Sequence, residues 1–312
     1  MAHQVNAAGG GHDAVAPRSA PPKPAADPRG RDTTPTAAGL RAEERAVLRR
    51  RADGIGALIG DTANVFLQLA WPEIGYGVVE SSVTGGQVMR HPFKRARTTL
   101  AYLGIALEGT QEQIDLYRQA VGTSHRQVRS GPDSPVKYNA FDRELQLWVA
   151  SCLFYGFWDI SVRMHGPMTR HDEEVLLRAC ARLGTSLQVP QDMWHQSMAD
   201  FWRYWERSLQ RASIDDTIGA YFHDLLNLRM LPFPLDRLFG PVHAWFNTGL
   251  TPPEIRRQLG LRWTAADERR HDRALRALGV VYRRLPRVLR MFPLNAAAWA
   301  TLTLHRFGRP MV

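Results

Sequence analysis

One long stretch of the chain, LQLWVASCLFYGFW at residues 145–158, is apolar and carries no charged side chain. It covers residues 145–158 only, which is short of the roughly 20 residues that a helix needs to cross a bilayer. A helix that is apolar on every side is typical of the interior of a protein. The stretch therefore predicts a helix that is buried on nearly all sides.

Helix start and stop signals continue on both sides of this stretch. Pro92 opens a segment that ends at Gly109, and Thr110 begins a capping box for the helix that follows. Asp142 offers an N-cap for the apolar helix. Further helical signals are a segment from Thr169 to Gly184, an apolar stripe (Trp194, Met198, Phe201, Trp205, Leu209), a start at Asp215, prolines at 232–253 that divide the chain, and a basic segment at about 265–290. Alternating strand patterns are absent, so the sequence predicts an all-α fold with a single domain at residues 43–312.

The first 42 residues differ from the rest of the chain. Twenty-two of them are Ala, Pro or Gly, and none is aromatic. Such a segment has too little apolar surface to form a core, so we expect residues 1–42 to be a disordered tail. It also lacks the continuous apolar region of a signal peptide.

The net charge and the cysteines indicate which partners and which cellular compartment are compatible with the sequence. The formal net charge of +10 permits anionic partners, although a solvated arginine-rich surface explains it equally well. No recognisable nucleic-acid-binding module accompanies the charge, so we expect no specific nucleic acid, while peripheral contact with an anionic membrane stays open. Cys152 and Cys180 lie within helical patterns rather than in a spaced framework. This favours a reduced, cytoplasmic compartment.

One histidine lies on the apolar face of a predicted helix. Ile114, Tyr117 and Val121 recur at helical spacing before His125, and Val128 continues the same stripe. Burial disfavours the protonated ring and leaves a neutral imidazole that can bind a metal. Two interpretations stay open at this stage. The ring is either a core histidine bonded to a backbone carbonyl or the axial ligand of a noncovalently bound haem iron.

Familiar catalytic motifs do not compete with these interpretations. The chain contains no Walker A sequence, no GxSxG, no HExxH and no CxxCH for covalent haem attachment. His165 and His171 flank the turn GPMTR, and the residues around them do not have the ligand spacing of a zinc site.

Four stretches, taken in order, resemble a known family. They are LQLAWPEIGYGVVESS (67–82), HPFKRARTTLAYLGIALEGT (91–110), SHRQV (124–128) and YNAFDRELQLWVASCL (138–153). Together they are similar to the rubber oxygenase and MpaB-type oxygenase family, which includes the latex-clearing proteins. The similarity runs from about residue 60 to about residue 215, and more weakly through GLTPPEIRRQLGLRW towards the C terminus.

The resemblance implies a globin-like helical domain that holds haem b and uses dioxygen to cleave or oxidise an apolar, isoprenoid-type substrate. The axial histidine of the family corresponds to His125, and its arginine and threonine on the preceding helix correspond to Arg95 and Thr99. The resemblance implies a catalytic role for both: Arg95 would face a haem propionate or position bound dioxygen, and Thr99 would line the pocket. Arg129, one predicted turn beyond His125, is a further candidate for a haem propionate. An alternative is a noncatalytic haem sensor or carrier.

The chain departs from the family pattern at three positions. Thr98 stands where latex-clearing proteins can place a lysine on the distal side of the haem. Trp71 and Ala150 stand where relatives have histidines. The resemblance therefore implies neither a lysine-closed state nor a second histidine ligand at these positions.

Overall fold

The computed structural model describes residues 40–81, 83 and 87–312, which form helices joined by turns and loops, with no strand among them. The all-α prediction is therefore confirmed. The helices are α1 (Ala42–Arg51), α2 (Gly54–Ile59), α3 (Asp61–Leu69), α4 (Pro72–Val79), α5 (Pro92–Glu108), α6 (Gln111–His125), α7 (Arg143–His165), α8 (Arg170–Cys180), α9 (Arg182–Thr185), α10 (Met198–Leu209), α11 (Asp216–Leu226), α12 (Leu235–Leu250), α13 (Pro253–Gln258), α14 (Ala265–Tyr282), α15 (Arg287–Arg290) and α16 (Leu294–Arg306).

The predicted N-terminal tail lies outside the described residues up to position 39. Helix α1 begins at Ala42, at the last residue assigned to that tail. The described residues all belong to one compact unit, Ala38–Val312. The division of the chain into a tail at 1–42 and a domain at 43–312 stays a prediction.

The apolar stretch of the sequence lies inside α7, which packs against α2, α3, α8, α9, α10 and α14. Asp142 caps this helix as predicted, because its carboxylate accepts hydrogen bonds from the backbone amides of Glu144 and Leu145. By length and composition alone α7 could cross a membrane, and half of its most apolar window is buried inside the protein. That burial is usual for the central helix of a globular core.

Helices α5 and α6 form the antiparallel pair that the capping signals predict. The hydroxyl of Thr110 accepts from the backbone amide of Gln113 at 3.3 Å, and the Gln113 side chain accepts from the amide of Thr110 at 3.1 Å. The chain therefore reverses directly after Gly109. Farther along the pair, the hydroxyl of Tyr117 donates to the carbonyl of Thr98 at 2.6 Å. The C-terminal end of α6 consequently lies beside the N-terminal half of α5.

The helix predicted from Thr169 to Gly184 is interrupted at Ala181. Its first part, α8, packs against α1, α7 and α10, whereas the short α9 packs against α5 and α7. The Tyr102 hydroxyl of α5 donates to the carbonyl of Leu183 in α9. The two parts share α7 as a neighbour, and each also has neighbours that the other lacks.

The expectation that prolines divide residues 232–253 into short pieces is wrong for one of them. Helix α12 continues through Pro241. A proline within a helix leaves the carbonyl four residues earlier without its partner. Here that carbonyl belongs to Arg237, which is exposed, so water can satisfy it.

Candidate active site

A cavity of about 690 Å³ lies among α2, α3, α4, α5, α6, α7, α9 and α11. Ligand and cofactor pockets typically occupy roughly 300–1,000 Å³. Helix α7 lines it along nearly its whole length, with Leu145, Gln146, Val149, Leu153, Gly156, Phe157, Ile160, Ser161, Met164 and His165. At about 1.5 Å per residue this wall is roughly 30 Å long. The cavity is thus elongated and mainly apolar.

His125, the last residue of α6, lies in the wall of this cavity. Its ring meets the ring of Phe141 edge to face, with 6.2 Å between centroids and 82° between planes. The stripe that places it there includes Ile114 and Tyr117, both buried. The spacing of the apolar residues therefore predicts the side of α6 on which the imidazole lies. The ring faces an internal space rather than packed side chains.

The electrostatic surroundings keep the imidazole neutral. Burial lowers the pKa of His125 to about 4, and the positive charge of Arg95 adds to that decrease. Its position at the C-terminal end of a helix would favour the protonated ring, but burial outweighs this effect. The Nδ1 atom is buried and has no hydrogen-bond partner among the described residues. A neutral imidazole without protein partners is free to coordinate a metal.

Arg95 and Thr99 of α5 line the same cavity as His125. They lie one helical turn apart, so both side chains project from one face of α5. Arg95 is largely exposed and stands at the edge of the cavity. The structure therefore brings together three of the four residues that the sequence singles out.

Arg129 is placed differently from these three. Helix α6 ends at His125, and the chain then forms an isolated antiparallel bridge between Arg129 and Asn139. Arg129 is exposed and is not among the residues of the described chain that line the cavity. A position one turn beyond His125 would face the same way only if α6 continued.

Comparison with known proteins identifies the family. Residues 48–284 match the family described as "ER-bound oxygenase mpaB/B'/Rubber oxygenase, catalytic domain". The chain belongs to this family. It is also 42% identical over 250 residues to Uncharacterized protein Mb2261 of Mycobacterium bovis and to Uncharacterized protein Rv2237 of Mycobacterium tuberculosis, covering 80% of this chain and 98% of each relative. No solved structure matches the chain.

Membership gives the cavity its general chemistry. The protein carries an oxygenase catalytic domain, and an oxygenase acts with dioxygen on a small-molecule substrate. Within the described residues, no group of three or more His, Cys, Asp or Glu side chains could hold a bare metal ion.

The residues present fit a haem. His125 offers an imidazole nitrogen from the cavity wall, with Nδ1 unpaired. Lys94 and Arg95 line the cavity at its edge, where a cation can face a propionate. The long apolar wall of α7 suits the porphyrin and an apolar substrate.

The three departures from the family pattern are all occupied by other interactions. Trp71 is buried and stacks on Trp148, with 5.0 Å between centroids and 6° between planes. Ala150 is buried in the core. Thr98 is buried, and its hydroxyl donates to the carbonyl of Arg95 at 3.0 Å.

Sequence reasoning missed a polar cluster at the other end of the α7 wall. Asp53 and His165 both line the cavity, and their Oδ2 and Nε2 atoms are 2.7 Å apart. The Nε atom of Arg290 donates to the other carboxylate oxygen of Asp53, also at 2.7 Å. More than a hundred residues separate Asp53 from each partner, so no local pattern could have paired them. This cluster joins α2, α7 and α15 through one buried carboxylate.

Proposed function

We propose that this protein is a haem b-dependent oxygenase that uses dioxygen to oxidise or cleave an apolar, isoprenoid-type substrate. The observation that carries the proposal is His125, a neutral imidazole in the wall of an elongated apolar cavity, whose buried Nδ1 atom has no hydrogen-bond partner among the described residues. Oxygenase family membership supports the same chemistry. We further propose that the protein works in the cytoplasm.

The chain would hold the cofactor from two adjacent helices. His125 of α6 would supply the nitrogen that holds the iron, and its lowered pKa makes this nitrogen available over the whole physiological pH range. Arg95 of α5 would face a propionate. Bound haem supplies iron for the activation of dioxygen.

The other lining residues orient the substrate and exclude water. Leu145, Val149 and Leu153 recur along α7 at helical spacing and give the cavity an apolar wall. An apolar chain lying along this wall removes water from both surfaces. Thr99 provides a small hydroxyl beside the proposed cofactor position, and it leaves space that a larger side chain would fill. In such a dry pocket the charge of Arg95 acts more strongly than it would in water.

None of the three positions at which relatives carry a lysine or a histidine offers a ligand to the proposed haem. Thr98 is bonded to a backbone carbonyl, and Trp71 and Ala150 are buried in the core. We therefore expect the iron to be bound by a protein nitrogen on one face only. External imidazole or cyanide should bind readily, and a spectrum typical of two protein nitrogen ligands would contradict this assignment.

The test is reconstitution with haem b followed by two measurements on the same sample. A Soret absorption band with one haem per chain tests the cofactor. Oxygen uptake with a linear isoprenoid such as squalene tests the reaction, and cleavage of one double bond by one dioxygen should yield two carbonyl groups. A Soret band without oxygen uptake on any isoprenoid or other lipid would favour the haem carrier or sensor. Absence of the Soret band would overturn both.

A further inference from the structure

Five large apolar side chains form an exposed face at the start of α12, which we call the docking face. They are Phe233, Leu235, Leu238, Phe239 and Val242, and their exposed fractions range from 38% to 77%. The last four follow the spacing i, i+3, i+4, i+7, which places them on one side of the helix. The opposite side of α12 packs on α3 and α11. An apolar stripe turned towards water is a sign of an interaction surface.

The docking face adjoins the cavity at both of its ends. Leu228, Met230 and Leu231, which connect α11 to α12, all line the cavity. At the other end of the stripe, His243 follows Val242 directly, and its Nε2 atom lies 3.1 Å from the hydroxyl of Thr62, another lining residue. The stripe thus lies between two segments that reach the cavity lining.

Two cations accompany the stripe and the cavity. Arg237 is exposed within the stripe, and Lys94 lines the cavity from the start of α5. Neither has an ion pair within the described part of the chain. Phe93 also lines the cavity although its side chain is 74% exposed. Apolar side chains beside unpaired cations match the interfacial zone of a bilayer that contains anionic lipid.

We propose that the docking face, with Lys94 at the start of α5, binds an anionic lipid surface. The apolar stripe would insert among the acyl chains, and Arg237 would remain at the level of the lipid phosphates. A second copy of the chain fits less well, because a two-fold contact would bring like charges together across the interface. Passage of an apolar substrate from the bilayer into the cavity then follows, and that part rests on the proposed function.

The experiment is cosedimentation of the full chain with vesicles of phosphatidylcholine, with and without phosphatidylglycerol. Wild type should bind the anionic vesicles and bind the neutral ones more weakly. Replacing both Leu238 and Phe239 with Glu should reduce binding about tenfold or more, because each apolar side chain loses its burial. The Arg237→Gln variant should bind less to anionic vesicles and show a weaker dependence on salt.

A matched control is available on α15. Val288 and Leu289 are also adjacent and exposed, at 71% and 54%, so replacing both with Glu makes the same change in charge elsewhere. This variant should bind vesicles as wild type does. Loss of binding only in this control, or no binding by wild type, would overturn the proposal. So would a wild-type dimer in buffer that the docking-face variant converts to a monomer.

Haem absorbance measured on the same samples separates the two proposals. Vesicle binding without a Soret band would leave the docking face intact and overturn the haem assignment. A Soret band together with vesicle binding that the docking-face variant does not reduce would support the haem assignment and overturn the docking face.

Discussion

Two histidines of this protein share a low pKa and differ in everything else that matters for function. Burial lowers the pKa of both His125 and His195 to about 4. The Nε2 atom of His195 lies 2.8 Å from the hydroxyl of Ser151. That hydroxyl donates to the carbonyl of Leu147, so it accepts from the histidine. His125 has a buried Nδ1 without such a partner.

The surroundings of the two rings also differ, because one ring is packed among other side chains and the other lies beside a cavity. His195 is packed among aromatic side chains, with its centroid 5.3 Å from that of Phe201 and 4.8 Å from that of Tyr204. His125 lines the cavity of about 690 Å³. A shifted pKa therefore reports burial in both regions. Only the missing hydrogen-bond partner and the adjoining space distinguish a candidate ligand from a structural residue.

The largest expected effect is the loss of haem when His125 is replaced with alanine. The change removes the proposed iron ligand and keeps a residue that favours helices, so circular dichroism should remain helical while the Soret band disappears. External imidazole should restore part of the band by occupying the vacated space. His195→Ala is the matched control and should keep the wild-type haem stoichiometry. A His125→Ala variant with an unchanged haem spectrum would show that another residue binds the iron.

His195→Ala should have the larger effect of the two variants when the stability of the haem-free protein is measured. His195→Ala leaves a space among packed aromatic rings and removes a buried hydrogen bond, which should lower the free energy of unfolding by about 2–4 kcal/mol. His125→Ala removes an unpaired ring beside an existing cavity and should change it by about 1 kcal/mol or less. Urea denaturation followed by circular dichroism measures both. Equal losses would mean that His125 also has a structural role.

These two regions also show what the sequence could predict. Local signals were sufficient for the helices that carry the site, because the capping residues Thr110 and Asp142 act within one turn of their own helix. The direction of His125 followed from the spacing of its apolar neighbours. Its unpaired nitrogen did not, because hydrogen-bond partners are set by packing between distant segments. His195 carried no signal at all: its partner Ser151 lies 44 residues earlier.

The same distinction explains the placement of Arg129. One turn beyond His125 is close in sequence, but the helix ends there and the chain enters a bridge with Asn139. Helix ends are decided partly by tertiary contacts. The residue pair Asp53 and His165 was likewise invisible, because it is assembled from two segments 112 residues apart.

Lowering the pH should reduce the stability of the folded protein through both histidines to a similar extent. Haem binding, in contrast, should depend on His125 alone. Each has a pKa near 4 in the folded protein and about 6.5 when unfolded. The unfolded chain therefore takes up protons first as the pH falls below about 6.5, and stability decreases until about pH 4. Each histidine should account for on the order of 2–3 kcal/mol of this loss. Either alanine variant should reduce the loss, measured by urea denaturation of the haem-free protein across this pH range. A variant with the full wild-type pH dependence would show that its histidine is not held neutral by burial.

The smallest expected effect concerns the two arginines proposed to face the haem. Arg95 lines the cavity, whereas Arg129 is exposed and outside its lining, so the same Gln substitution at both positions makes a matched pair. Arg95→Gln should weaken haem binding about tenfold, because one charge-assisted hydrogen bond to a propionate is lost. Protonation of His125 would not explain this loss. The charge of Arg95 is the smaller cause of the low pKa of His125, so burial keeps the imidazole neutral when that charge is removed. Arg129→Gln should change the affinity by no more than about twofold. Haem titration followed at the Soret band measures both, and a larger loss for Arg129→Gln would assign the propionate contact to Arg129 instead.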